Sequence, residues 1–287
     1  MELAIKSEVC LKNYTTWRIG GKADRFAVVK TVDELTNVIK IDKSPTIIGG
    51  GSNVLIADSG IRGLVIKNQM HRIKESSDIV VVDSGTALSL VANYYYLSSY
   101  GDLYWAHLIP GTVGGALKSN AGAHGGNIGD IVEWVEIFRD GDIVRLSNSE
   151  CGFGYRISKF KSSDIIIRAG LRFSRDNQSN IAIKRHEAKE YRKNTQPVGF
   201  SAGSVFKAIP SPRCLKRDYF SAGFYIERAG LKGTRVGGAV VSHKHANFIL
   251  NDNSATCADV LELIATIKLK VYKTFGVALK EEVCFLC

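Results

Sequence analysis

The chain has 287 residues, 45% of them hydrophobic and 23% charged, with a formal net charge of +10. That length and balance exclude a disordered chain and leave room for two domains with a sizeable core. The lysines and arginines are dispersed, with no basic run and no interleaved aromatic platform, so the charge points to acidic small ligands and away from nucleic acid.

The opening residues, MELAIKSEVC, hold no apolar leader core, and no run of about 18 apolar residues occurs, so the expectation is a cytoplasmic protein with no membrane partner. Six cysteines are too few for a disulfide framework in a chain of this size, and free thiols are expected. Cys284 and Cys287 form a CxxC pair that no second pair accompanies, so no metal site is assigned there.

In chain order, TTWRIGG turns at Gly20 and Gly21 into an apolar strand from Arg25 to Val29. Thr31 and Glu34 are spaced as a capping box for a helix that buries Leu35, Val38 and Ile39. A strand over residues 45–48 runs into Gly49-Gly50-Gly51-Ser52-Asn53, after which Val54, Leu55 and Ile56 resume an apolar run. Val54 stands where a dinucleotide fingerprint needs its third glycine, and no helical pattern follows, so this is not a Rossmann loop. GGKA around Lys22 lacks the spacing of a P-loop.

Residues 62–67 and 79–83 read as strands, and Leu88, Val91, Ala92, Tyr95 and Tyr96 repeat at helical spacing. From Ile109 to Gly129 runs IPGTVGGALKSNAGAHGGNIG, a density of glycine that neither helix nor strand tolerates well. Bare backbone at Gly111, Gly114, Gly115 and Gly122 lets N–H groups approach a bound anion, so this stretch reads as a pyrophosphate cradle and Gly49–Asn53 as a second one. Asp140-Gly141 marks a hairpin between residues 134–138 and 143–146, and residues 165–167 form another strand. After Phe173 comes a turn-rich segment, then a basic helix to Lys193 that Pro197 breaks, and the composition changes there. The last part has a short helix near Glu227, strands around Val240 and Phe248, and a final helix capped by Thr256 and Asp259 and ended by Gly276.

Seven blocks, in order TTWRIGG, GGGSNVLIADSGIRGLVIK, IPGTVGGALKSNAGA, FGYRISKF, QPVGFSAGSVFK, ERAGLKGTRVGGAVVSHKHANFILN and FGVALKEEV, resemble the MurB family of UDP-N-acetylenolpyruvoylglucosamine reductases. The resemblance implies an α+β chain: a two-subdomain FAD-binding fold of the vanillyl-alcohol oxidase (PCMH) type over residues 1–185, split near residue 70, and a C-terminal α+β substrate-binding lobe over 186–287. It implies non-covalent FAD, NADPH as hydride donor, and reduction of UDP-N-acetylglucosamine enolpyruvate to UDP-N-acetylmuramate for peptidoglycan synthesis by a monomer. Arg156 then matches the catalytic arginine, Ser204 the proton donor, and Glu282 the C-terminal catalytic glutamate, with Glu281 the neighbour that register disfavours.

FAD contacts carry over to Arg18, Ile19 and Gly20, to Gly49, Gly50, Gly51, Ser52 and Asn53, and to Pro110, Gly111, Thr112, Gly114, Gly115, Asn120, Ala121 and Gly122. Substrate contacts carry over to Tyr155, Arg192, Lys193 and Lys207. Three departures stand out: Ala208 and Ile209 replace the usual Asn-Pro before a longer loop to Ser221, His243 replaces an acidic residue, and the short segment from Arg156 to Ser204 matches the subtype without the long tyrosine-bearing loop. His124, inside a glycine loop, leaves a covalently tethered flavin oxidase as the alternative on the same scaffold.

Overall fold

A computed structural model describes residues 4–76, 78–210 and 219–287. The chain forms two compact units that are discontinuous in sequence: Met1–Ser7, Arg25–Gly50 and Gly63–Arg192 in the first, Glu8–Asp24, Gly51–Arg62 and Lys193–Cys287 in the second. The linear division at 185/186 therefore differs from the compact units, because two early segments pack with the C-terminal part.

The first unit is built on a five-stranded sheet in the order Asp142–Ser147, Val132–Arg139, Ile165–Leu171, Ile79–Asp83, Ile73–Ser76, antiparallel throughout. Its hairpin turns at Asp140 and Gly141, both at positive φ (53° and 101°), as a primed turn requires. Val135, Ile137, Ala169, Leu171 and Val82 point into a core shared with the helix Leu88–Tyr96. Tyr95 lies in that core, stacked on Phe173 with ring centroids 4.7 Å apart, so it is a packing element. A second core, with Ala27, Val29, Leu64 and Ile66, receives Leu35, Val38 and Ile39 from the helix Val32–Ile41. Thr31 caps that helix by accepting from the Glu34 N–H at 3.1 Å.

The edge strand Ile73–Ser76 had no counterpart in the sequence reading; it is short, and mostly exposed. The glycine-rich stretch also departs from expectation, because Val113–Ser119 is helical. Thr112 caps it, Asn120 closes it in the left-handed region (φ 44°), and Val113, Ala116 and Leu117 are buried. A Cβ on Gly114 would come 2.9 Å from the Ser84 Cβ, so close packing decides both the glycine and the helix against its low propensity.

Asp164 leads into the strand Ile165–Leu171 and is held by Nε and Nη2 of Arg139, each at 2.8 Å, and by the Lys161 N–H at 2.7 Å. Burial pushes its carboxyl up, and the hydrogen bonds from Arg139 and Lys161 outweigh this, leaving the pKa below the ordinary 3.8. A depressed carboxyl adds stability above its unfolded pKa, and that contribution is lost as pH falls through the folded value. Asp164→Asn is expected to cost about 2 kcal/mol at pH 7, the scale of charge-assisted hydrogen bonds. Urea unfolding checks this: the gap to wild type should persist from pH 7 to 5 and shrink below about pH 4.

The second unit centres on the helix Cys257–Phe275, whose Val260, Leu263, Ile264, Ile267 and Val271 pack against Ala222, Ile226, Ala239, Val241 and Ile249. Its N-terminus carries the complete capping box of Thr256 and Asp259, and Gly276 (φ 68°) ends it. Two early segments join this core. Trp17 is fully buried and donates to the Ile249 carbonyl at 2.9 Å. The strand Val54–Ile56 pairs in parallel with Cys284–Leu286, and the Asp58 carboxylate accepts from the N–H groups of Cys257 and Ala258 at 2.8 and 3.0 Å.

Among the described residues no helix is long and apolar enough to cross a membrane, and no group of three or more His, Cys, Asp or Glu is placed to hold a metal. Cys10, Cys151, Cys257, Cys284 and Cys287 form no disulfide; Cys214 and most of the longer loop before Ser221 lie outside the described residues.

Candidate functional site

In the first unit the strand Thr46–Ile48 pairs in parallel with Ile61–Asn68, setting Ile48 opposite Lys67 and delivering Gly49 and Gly50 at its end. Gly50 lies directly on the other glycine segment: a Cβ there would come 2.6 Å from the Gly111 Cα. Gly49 abuts the Thr112 hydroxyl, which also accepts from the Gly115 N–H at 3.4 Å. A side chain at 49 or 50 would collide with these neighbours, so bare backbone is what the sequence supplies there. Pro110 precedes it, exposed.

The rest of the second glycine segment anchors the FGYR turn. Asn120 donates to the Gly154 carbonyl at 2.8 Å and accepts from the Gly129 N–H at 2.9 Å. Ala121 takes its place in the backbone, its N–H bonding the Ala116 carbonyl at 2.8 Å. Gly122 accepts from Arg156 Nη2 at 2.6 Å, and Ser158 donates to the Lys118 carbonyl at 2.6 Å. Arg156 itself sits at φ 52°, between the bridged residues Gly154 and Ile157, with its guanidinium 5.8 Å from the Tyr155 ring. A side chain held by a tight turn and a fixed hydrogen bond loses little entropy on meeting a ligand. Arg192 is partly buried on the helix Gln178–Thr195, and burial lowers its pKa. Burial and then the Arg192 charge lower the pKa of His124, which meets Tyr191 edge-on at 5.1 Å.

In the second unit Gly51 (φ 65°) lies against the Tyr14 carbonyl, where any Cβ would collide, and its own carbonyl accepts from the Thr16 N–H at 3.0 Å. Thr16 donates to the Ser201 carbonyl at 2.7 Å, and Asn251 donates to the Trp17 carbonyl at 2.9 Å. Arg18 follows, exposed and at φ 58°, with its guanidinium 5.5 Å from the Phe200 ring. Ile19 is buried and Gly20 packs on Ile56. Ser52 is half-buried beside Asn53, whose side chain donates to the Glu282 carbonyl at 3.1 Å.

The SAGSVFK segment is clamped from two sides. Ser204 bridges Phe248, and Val205 donates to the Asn247 carbonyl at 2.9 Å. On the other side the Glu282 N–H donates to the Val205 carbonyl at 2.8 Å, and the Lys207 N–H to the Lys280 carbonyl at 2.9 Å. Ser204, Lys207 and Glu282 thus occupy adjacent backbone. Lys193 contributes its carbonyl, which accepts from Lys244 Nζ at 2.5 Å. Glu281 is committed to a surface ion pair with Lys268 at 2.7 Å. His243 packs on Gly233, and His245 Nδ1 accepts from the Asn247 N–H at 3.2 Å, which gives both histidines structural places.

Sequence reasoning passed over two residues that build these sites. Asn247, 5% exposed, closes its amide on the N–H and C=O of Phe206, both at 2.9 Å. Asn120 was read as a cofactor contact, and its side chain is engaged within the protein. Lys67 is the second residue passed over, donating to the Gly49 carbonyl. A polar residue inside an apolar run, as in HANFIL or LVIKN, was the available signal.

The family models agree with this architecture. Residues 23–147 match an FAD-binding domain, and residues 195–286 match the C-terminal domain of UDP-N-acetylenolpyruvoylglucosamine reductase. The UDP-N-acetylenolpyruvoylglucosamine reductase of Caldanaerobacter subterraneus subsp. tengcongensis is 40% identical, with 95% of this chain and 90% of that protein aligned. The reductase of Thermotoga maritima is 39% identical, with 95% of each aligned. The crystal structure of MurB from Thermus caldophilus superposes with a TM-score of 0.85 at 33% identity, covering 100% of both chains. The chain belongs to the UDP-N-acetylenolpyruvoylglucosamine reductase (MurB) family, with an α+β FAD-binding domain followed by the family's C-terminal domain.

Proposed function

We propose that this chain reduces UDP-N-acetylglucosamine enolpyruvate to UDP-N-acetylmuramate, a step of peptidoglycan precursor synthesis, as a cytoplasmic monomer with non-covalent FAD and NADPH as hydride donor. The observation that carries the reading is the close backbone approach of Gly50 to Gly111, where a Cβ on Gly50 would come 2.6 Å from the Gly111 Cα, in a chain whose residues 195–286 match the reductase's own C-terminal domain. Those bare backbone segments suit a diphosphate, and FAD carries one. When bound, FAD supplies a hydride acceptor and donor for NADPH and the enolpyruvyl double bond.

The chain's own residues handle charge and the proton. Hydride addition to the terminal carbon leaves charge at the neighbouring carbon, delocalised into the carboxylate, and Arg156 is the donor proposed for it, since its guanidinium stays cationic and bonds a carboxylate through two parallel N–H groups. Ser204 gives the proton. A serine hydroxyl is a weak acid, so it needs activation, for which Lys207 is the candidate, with Glu282 assisting proton delivery or donating to the carboxylate. The ion pair of Glu281 with Lys268 supports Glu282 for that role. Tyr155, Arg192 and Lys193 are proposed to meet the substrate's phosphates; an anion relieves the desolvation that lowers Arg192. The net charge of +10 steers both anionic ligands.

Anaerobic visible spectroscopy tests the reading. NADPH should bleach the flavin band, and UDP-N-acetylglucosamine enolpyruvate should restore it. A band that recovers with other unsaturated carboxylates and ignores this substrate would retain the flavoprotein and remove the substrate. Colour that stays with the precipitated protein would instead favour a flavin tethered at His124.

A further inference from the structure

Lys67 is half-buried, at the inner end of the strand that lies beside Thr46–Ile48. Its ammonium donates to the Gly49 carbonyl, and among the described residues no carboxylate pairs with it. Burial alone moves its pKa, downward. An ammonium has three N–H donors, and the bond to Gly49 uses one. A partly desolvated cation without a counter-charge is unfavourable by itself, and a bound anion offsets the cost.

Gly49, whose carbonyl Lys67 holds, abuts the Thr112 hydroxyl, and Gly50 lies on Gly111. We infer that Lys67 is a positioning residue for the cofactor: it turns the Gly49 carbonyl inward, leaving the following N–H groups to the ligand, and supplies the fixed positive charge that selects a diphosphate-bearing flavin over riboflavin. This rests on the proposed placement of the FAD diphosphate at Gly49–Gly50 and Gly111.

The test strips flavin from the full chain and titrates the apoprotein with FAD and with riboflavin, at low and high salt, following flavin fluorescence. Lys67→Met should weaken FAD binding about tenfold or more, leave riboflavin within twofold, and flatten the salt dependence for FAD. Lys67→Arg should recover most of the FAD affinity, because it retains the charge. Lys67→Gln, which keeps a donor for the Gly49 carbonyl, should behave like Lys67→Met and replaces it if the methionine variant does not fold.

Wild-type FAD affinity and salt slope in the neutral variants would overturn the inference. So would an equal loss of FAD and riboflavin that Lys67→Arg fails to repair, the mark of a purely structural lysine. Gly50→Ala separates the two readings. If it binds FAD like wild type, the cradle placement falls and the inference with it; if it loses FAD while Lys67→Met does not, only the inference falls.

Discussion

Arg156→Ala is expected to keep flavin bound and to lower turnover by roughly 10²-fold or more, the usual cost of removing one donor to developing negative charge. The turn that carries Arg156 does not depend on its guanidinium alone: Asn120 reaches the Gly154 carbonyl at 2.8 Å, Ser158 holds the Lys118 carbonyl, and Lys118 reaches the Phe160 carbonyl at 3.0 Å. The variant loses the bond to the Gly122 carbonyl and the cation itself, among other contacts. Arg156→Lys keeps charge without the planar fork and should recover only part of the rate. The decisive comparison is flavin content against turnover in the purified variants. Loss of flavin in step with activity would make Arg156 a structural clasp on the glycine segment.

Ser204→Ala should divide the reaction in two. Bleaching of the flavin by NADPH should proceed as in wild type, while recovery on adding the enolpyruvyl substrate should slow by roughly 10²- to 10⁴-fold, the range for a lost general acid. The fold should tolerate the change, because the strand is fixed by main chain: Val205 to Asn247, Val205 to Glu282, and Lys207 to Lys280. Stopped-flow absorbance resolves the two half-reactions. An unchanged recovery rate would move the proton donor elsewhere, with Glu282→Gln the next variant to measure.

Much of this molecule was legible because the controlling interactions are local. Thr31 with Glu34 and Thr256 with Asp259 each satisfy N–H groups within one turn, so a spacing of three residues was enough to place two helix starts. Asp140-Gly141 fixed a hairpin register for the same reason. The glycine segments announced bare backbone, and the resemblance supplied the chemistry to go with it.

Other features depend on partners far away in sequence. The helix Val113–Ser119 arises where propensity argues against it, since Gly114 must fit on Ser84 and three apolar side chains enter the core. The FGYR turn takes its shape from Asn120, which donates across 34 residues.

By itself, then, the sequence determined the capped helices, the hairpin, the two glycine segments and the order of blocks that marks the family. Tertiary structure alone decided that residues 8–24 and 51–62 pack with the C-terminal unit, where Val54–Ile56 pairs with Cys284–Leu286 and Trp17 fills the core. It alone brought Glu282 to Val205, and Lys67 to Gly49. A cap or turn closes within a few residues and leaves a periodic or spaced signal, whereas a parallel strand pair or a buried amide is selected by burial and hydrogen bonding between segments whose separation along the chain leaves no local pattern.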